Sequence, residues 1–325
     1  MKACTISKYG SPNNVQVKEV DTPIPKYNEV RVRIITASVN AADLEIVKGY
    51  LFVRLLGGFR KPKVKILGCD FAGLVESIGE LVTQFKPGDE VYADLMYQKH
   101  PYGALAEFVC VPENSLRMKP QSMTFEEAST IGQAGVLAIQ GIKGKIPPEE
   151  GYKVLINGAG GGVGSFAIQI AKYYGAEVTA VDSEEKFDMM KNLGADHVID
   201  YIKEDFTKNN DKYDLILDVI AKKSVFSYRK VLKKNGIYRC VGGTTGRIFQ
   251  IVFLGKLLSR FSGKKVGILV GKPNEKEDME FLTELYETKK VVPIIEKTYI
   301  LEQVPEALRH LEEGKVKGKL VIQIK

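Results

Sequence analysis

Residues 152–172 read YKVLINGAGGGVGSFAIQIAK, and no other stretch narrows the choice of fold as far. Val154, Leu155 and Ile156 form a short apolar run suited to a parallel strand buried on both faces. Gly158, Ala159, Gly160, Gly161, Gly162, Val163 and Gly164 follow at once. A chain that turns sharply and lays its backbone against a pyrophosphate has no room there for a Cβ. The helix beginning near Gly164 offers unpaired N–H groups and a positive dipole end to the anion. Behind the turn, Phe166, Ala167, Ile168, Ile170 and Ala171 recur at helical spacing, Gly175 can end the helix, and residues 177–181 supply a second strand. The result is a βαβ unit of about thirty residues, and a phosphate-bearing ligand is implied.

A chain of 325 residues exceeds what one core usually holds, so two domains are expected. Its 47 basic and 40 acidic residues leave a net charge of +7 but are mixed along the chain. Two basic runs, at 60–65 and 315–319, lack interleaved stacking aromatics and read as solvated surface, with no nucleic-acid partner. Cys4, Cys69, Cys110 and Cys240 are scattered without metal-finger or CxxC spacing, which suits a reducing compartment. The opening MKACTISKYG lacks the apolar stretch of a secretion signal, and no run of 18 apolar residues occurs. A cytoplasmic protein without a membrane partner is therefore expected.

Along residues 1–122, short β-like segments at 15–20, 29–37, 72–78, 90–93 and 106–111 are broken by Pro, Gly and Asn, with one helical piece at 41–48. This pattern predicts a compact, mostly antiparallel β domain. Thr124 and Glu127 form a capping box that opens a helix, and from there strand and helix signals alternate to about residue 265. Such alternation predicts a doubly wound parallel sheet over 123–265, with residues 266–325 returning to the first domain. The ligand crevice of such a sheet lies beyond the carboxyl ends of its strands, which gathers the glycine turn, Asp182, Val219, Gly242 and Gly243 on one rim.

Several stretches resemble the zinc-independent quinone oxidoreductase branch of the medium-chain dehydrogenase/reductase superfamily. They are SVNAADLEIVKG at 38–49, ILGCDFAGLVESIG at 66–79, FKPGDEVYA at 85–93, GALAEFVCVP at 103–112, INGAGGGVGSFAIQIAKYYGAEV at 156–178, LGADHVIDY at 193–201, YDLILDVI at 213–220 and GKLVI at 318–322. The resemblance implies an α/β fold in two parts: a GroES-like β-rich catalytic domain and a Rossmann-type domain with a doubly wound parallel sheet. It also implies a homodimer, and reduction of quinones or α,β-unsaturated carbonyls by hydride from a reduced nicotinamide nucleotide. A metal-free alcohol or aldehyde dehydrogenase and a non-catalytic nucleotide-binding protein are the alternatives. Related zinc enzymes hold their metal with Cys, His and Cys, where this chain has Asn40, the segment Gly68-Cys69-Asp70, and a third position near Ala134. One thiol cannot make a three-ligand site, so no metal is expected.

Without a Lewis acid, catalysis rests on positioning and on hydrogen bonds to the developing oxyanion. Asn40 stands at a metal-ligand position and can donate through its amide, the alternative being a turn-maker bonded to its own backbone. Tyr50 stands near a position where some relatives carry a phenolic donor, though one residue out of register, and ordinary packing is its alternative. Asp43 reads as a helix cap, and Cys69 as a small buried residue. Asp182, ending the second strand, would grip ribose hydroxyls and favour NADH. Ser183, Lys186 and Tyr201 match positions that hold the 2′-phosphate in NADPH-using relatives, and the resemblance tips the choice to NADPH, with NADH left open. Apolar candidates for the substrate pocket are Phe52, Leu55, Leu56 and Phe59, with Ile248, Phe249, Val252 and Phe253 in a run that could equally be a lid, a dimer contact or core.

Overall fold

The computed structural model describes residues 1–63, 65–96, 103–144 and 146–324, and leaves aside the side chains of Phe52, Leu56, Lys256, Phe261 and Ser262. The sequence-based pocket candidates Phe52 and Leu56 therefore lie outside the described side chains. In chain order come β1 (Lys2–Ile6), β2 (Val15–Glu19), β3 (Glu29–Val39), α1 (Ala41–Lys48), α2 (Leu51–Gly57), β4 (Asp70–Ile78), β5 (Glu90–Asp94), β6 (Phe108–Pro112) and β7 (Arg117–Met118). Next are α3 (Phe125–Ile142), β8 (Lys153–Asn157), α4 (Gly162–Tyr173), β9 (Glu177–Asp182), α5 (Phe187–Asn192), β10 (His197–Asp200), β11 (Tyr213–Asp218), α6 (Val225–Lys230), β12 (Leu232–Cys240), α7 (Thr245–Ser262) and β13 (Lys265–Ile268). Last are α8 (Lys276–Glu287), β14 (Ile295–Ile300), α9 (Val304–Glu312) and β15 (Lys319–Gln323). These elements divide into two compact units. One comprises Met1–Ala134, Pro273–Thr283 and Ile295–Lys325, the other Gly135–Lys272 and Glu284–Ile294.

In the first unit, β3 alternates as a half-buried strand should: Val30, Val32 and Ile34 are buried while Arg33 is exposed. Its sheet runs β14-β15-β3-β4-β5-β7, with β6 also paired to β3, and every pairing except β14 with β15 is antiparallel. Ile34, Phe71, Val91, Val109 and Ile322 are among the side chains of the core this sheet covers. In its registers, Leu320 lies opposite Val39, Asp70 opposite Ser38, and Asp94 opposite Asp70. Polar residues from β3, β4, β5 and β15 are thereby brought to one end of the sheet. The helix α3 begins with the predicted capping box, Glu127 N–H donating to Thr124 Oγ1 at 3.1 Å and Thr124 N–H to Glu127 Oε2 at 2.9 Å.

The second unit is a six-stranded parallel sheet in the order β10-β9-β8-β11-β12-β13. Strand order reverses between β8 and β11, and at such a switch point the crevice opens beyond the carboxyl ends of the strands. β13 pairs with β12 here, placing Val266 beside Tyr238 and Ile268 beside Cys240. Residues 266–272 thus lie with the parallel sheet, where the sequence reading assigns them to the other domain. Edge pairing of a four-residue strand is decided by tertiary contacts that its composition does not signal. The apolar run at 247–258 is part of α7, whose Ile251 is buried in the core of this unit while Val252, Phe253 and Leu257 are more than half exposed.

Candidate active site

At the carboxyl end of β8, Gly158 has φ +84, a left-handed conformation, and a Cβ there would sit 2.4 Å from Val219 Cγ2. One turn further on, a Cβ on Gly164 would stand 2.3 Å from the carbonyl oxygen of Gly158. The first i→i−4 bond of α4 is Ser165 N–H to the Gly161 carbonyl, so the N–H groups of Gly162, Val163 and Gly164 precede it with no intrahelical acceptor. A glycine-rich backbone before a row of open N–H groups fits a diphosphate.

The rim around this turn is rigidly held. Asp218 is fully buried at the end of β11 and accepts from Asn157 Nδ2 at 2.8 Å, Ala221 N–H at 2.8 Å and the Tyr238 hydroxyl at 2.9 Å. Val219 donates its N–H to the Asn157 carbonyl, and Gly243 packs so closely on Ala221 that a Cβ would meet it at 2.4 Å. At the end of β9, Asp182 Oδ2 accepts Gly160 N–H at 2.9 Å, while Oδ1 accepts Ser183 N–H at 2.9 Å and lies 3.1 Å from the buried Lys186 ammonium. Both carboxylate oxygens are therefore engaged by the protein, and Lys186 neutralises the charge that would repel a 2′-phosphate. Tyr201 follows β10 with its ring half exposed and the Lys222 ammonium 6.0 Å above it.

A second polar constellation lies wholly within the first unit. Asp70 is completely buried, and donors converge on its carboxylate: Ser38 Oγ at 3.1 Å and Asn40 Nδ2 at 3.0 Å on Oδ2, Gln133 N–H at 2.9 Å on Oδ1. The Lys319 ammonium, 3 % exposed, donates to Asn40 Oδ1 and lies 3.5 Å from Asp70 Oδ2. Burial raises the Asp70 carboxyl above its ordinary value, opposed by Lys319 and the three donors. Asp43 is also fully buried. It accepts the Asn40 N–H at 2.9 Å and the Gly68 N–H at 3.0 Å, and burial pushes its carboxyl up to about 6. Burial and then the Asp70 charge hold Asp94 well above the carboxylate range. The Cys69 thiol, raised well above its ordinary value by burial, faces Met96 Sδ at 3.8 Å and is no thiolate nucleophile.

The sequence-predicted residues of the glycine turn, with Asp182, Ser183, Lys186, Tyr201, Val219, Gly242 and Gly243, all lie at the carboxyl ends of the parallel strands. Asn40 sits at the polar end of the first sheet as the N-cap of α1, its side chain also engaged with Asp70 and Lys319. Asp43 caps α1 as the sequence suggests. Tyr50 precedes α2 with its side chain 52 % exposed and its phenol bonded to none of the described residues. Lys319 corrects the sequence reading, which places it in a solvated basic run; the register of β15 against β3 carries it inside instead. Gln133 is missed altogether, although a glutamine between Ile131 and Ala134 on a helix that is mostly apolar is a visible irregularity.

A family profile described as alcohol dehydrogenase GroES-like domain matches residues 26–121, and one described as zinc-binding dehydrogenase matches residues 193–322. The chain is 34 % identical over 359 residues to the mitochondrial NAD(P)H oxidoreductase RTN4IP1 of Bos taurus, covering 100 % of this chain and 89 % of that protein. It is 32 % identical over 339 residues to the 2-methylene-furan-3-one reductase of Solanum lycopersicum, covering 99 % of this chain and 79 % of that protein. Among solved structures, the quinone oxidoreductase of Coxiella burnetii superposes with a TM-score of 0.89 at 27 % identity, covering 100 % of this chain and 99 % of the other. The zinc named in the second profile finds no counterpart in donor chemistry here. The Asn40 amide and the buried, protonated Cys69 thiol are poor zinc ligands, and an ammonium already lies against Asn40 and Asp70.

Proposed function

This chain belongs to the medium-chain dehydrogenase/reductase superfamily, and on that footing we propose that it is an NAD(P)H-dependent oxidoreductase acting on quinones and α,β-unsaturated carbonyls. The observation that carries the reading is a cradle fit for a dinucleotide in a chain whose ligand positions cannot hold zinc. Hydride transfer without a Lewis acid suits an acceptor whose own conjugation can take up the charge, and quinones and enones are such acceptors. When bound, the nucleotide supplies the hydride. The open N–H groups of Gly162, Val163 and Gly164 hold its diphosphate, and the packed contacts of Asp218 and Gly243 keep the rim fixed. Asn40 donates to the carbonyl oxygen of the substrate through its amide, and Tyr50 is the second candidate donor.

NADPH is the preferred nucleotide in this reading. What supports it is the state of Asp182: its oxygens are taken by Gly160, Ser183 and Lys186, so it is poorly placed to grip ribose hydroxyls. Lys186, Ser183 and Tyr201 then form the 2′-phosphate site. A homodimer in the cytoplasm completes the proposal; the four free, buried cysteines suit a reducing compartment, and light scattering on the eluted protein checks the dimer. The direct test follows oxidation of NADPH and of NADH against 1,4-benzoquinone, 2-cyclohexenone and, in reverse, simple alcohols. Turnover of the conjugated acceptors with higher kcat/KM for NADPH is expected; turnover confined to simple alcohols would refute the assignment.

A further inference from the structure

We propose that Gln133 is a second donor to the substrate's carbonyl oxygen, acting beside Asn40; this rests on the reading that conjugated carbonyls are reduced. Gln133 is 6 % exposed on α3, and its Nε2 is buried with no hydrogen-bond partner among the described residues. Leaving a buried amide N–H₂ unpaired carries a desolvation penalty that an incoming acceptor would relieve. Its location is tied to Asn40 through one carboxylate: Gln133 N–H donates to Asp70 Oδ1, and Asn40 Nδ2 donates to Asp70 Oδ2.

The orientation of Asn40 is fixed as well. An ammonium can only donate, so the Asn40 atom that meets Lys319 is the amide oxygen, and the N–H₂ is turned away from it. One of those two hydrogens goes to Asp70, and the second has no acceptor among the described residues. Two buried amides thus each keep an N–H without an acceptor among the described residues, and what such groups take is an accepting oxygen. A carbonyl qualifies, and its oxygen gains negative charge during the reaction: hydride adds at Cβ, the C=C electron pair shifts, and the enolate oxygen carries the charge until solvent delivers a proton to Cα. Donors already in place at that oxygen stabilise the charged state more than the neutral one. Lys319 offsets the charge that Asp70 would otherwise set against the enolate.

Gln133→Leu tests the assignment, with Gln133→Met in reserve should the leucine variant fail to fold. The readouts are melting temperature, Kd for NADPH, kcat with 2-cyclohexenone, and the C=O stretch of 2-cyclohexenone bound together with NADP⁺. Because Nε2 bonds no protein group, the variant is expected to melt no lower than the wild type and to bind NADPH within about twofold. Its kcat should fall roughly 10- to 100-fold, and the red shift of the bound carbonyl should shrink. Unchanged kcat, or a carbonyl shift equal to that of the wild type, would overturn the assignment, as would a wild type that shifts the carbonyl not at all. A wild type that shows the Gln133-dependent shift but no turnover with either nucleotide would refute the reductase reading and leave Gln133 as a carbonyl-binding residue.

Discussion

At Lys186 a buried ammonium lies 3.1 Å from Asp182 and its aliphatic stem covers Gly160, where a Cβ would meet Cδ at 2.4 Å. Lys186→Ala would remove the neutralising charge and leave Asp182 to repel a 2′-phosphate. A charge-assisted contact contributes about 1.5–3 kcal/mol, so Kd for NADPH should rise roughly 10- to 100-fold while Kd for NADH moves little, as titration calorimetry would show. Asp43 makes a different kind of prediction. Burial pushes its carboxyl up to about 6 from 3.8, so the folded chain holds this proton more tightly than the unfolded one. The associated stability is full below the unfolded value and is lost as pH rises through the folded one. Between about pH 4 and about pH 7, the wild type should lose about 2 kcal/mol more than Asp43→Asn, read from urea unfolding at each pH.

Among the elements, the β8–α4 turn and α7 show how far local pattern carries. The turn was legible because its constraints are local: Gly158 needs a positive φ and Gly164 must sit against the Gly158 carbonyl, and both requirements are written as missing side chains. Gly164→Ala would place a Cβ 2.3 Å from that oxygen, and the backbone shift it forces should weaken nucleotide binding at least tenfold, measurable by fluorescence titration. In α7 the apolar run did not disclose which face is buried, because that depends on β13 packing beside it. Val266 N–H donates to Ser259 Oγ at 3.0 Å, and Ile251 is 3 % exposed whereas Phe253 is 71 % exposed. Ile251→Ala should therefore cost about 2–5 kcal/mol in unfolding free energy. Phe253→Ser should stay within about 0.5 kcal/mol of the wild type.

For the molecule as a whole, the two-part architecture and the parallel sheet were legible, since alternating strand and helix periods and glycine spacing are properties of short windows. The chemistry of the first unit was not. Lys319 and Asn40 are 279 positions apart and meet only because β15 pairs with β3 in the register that sets Leu320 against Val39. Asp94 approaches Asp70 through the register of β4 and β5, and Gln133 joins them from a helix. Such convergence is fixed by tertiary pairing, which no window of the sequence contains. The central claim is hydride transfer to a conjugated carbonyl with amides and a buried ammonium in place of a metal. It is tested most directly by measuring zinc content and 2-cyclohexenone turnover on the same sample before and after exhaustive dialysis against a chelator. Well under one zinc per chain and an unchanged rate are expected; a rate lost on chelation and restored by added zinc would contradict the claim.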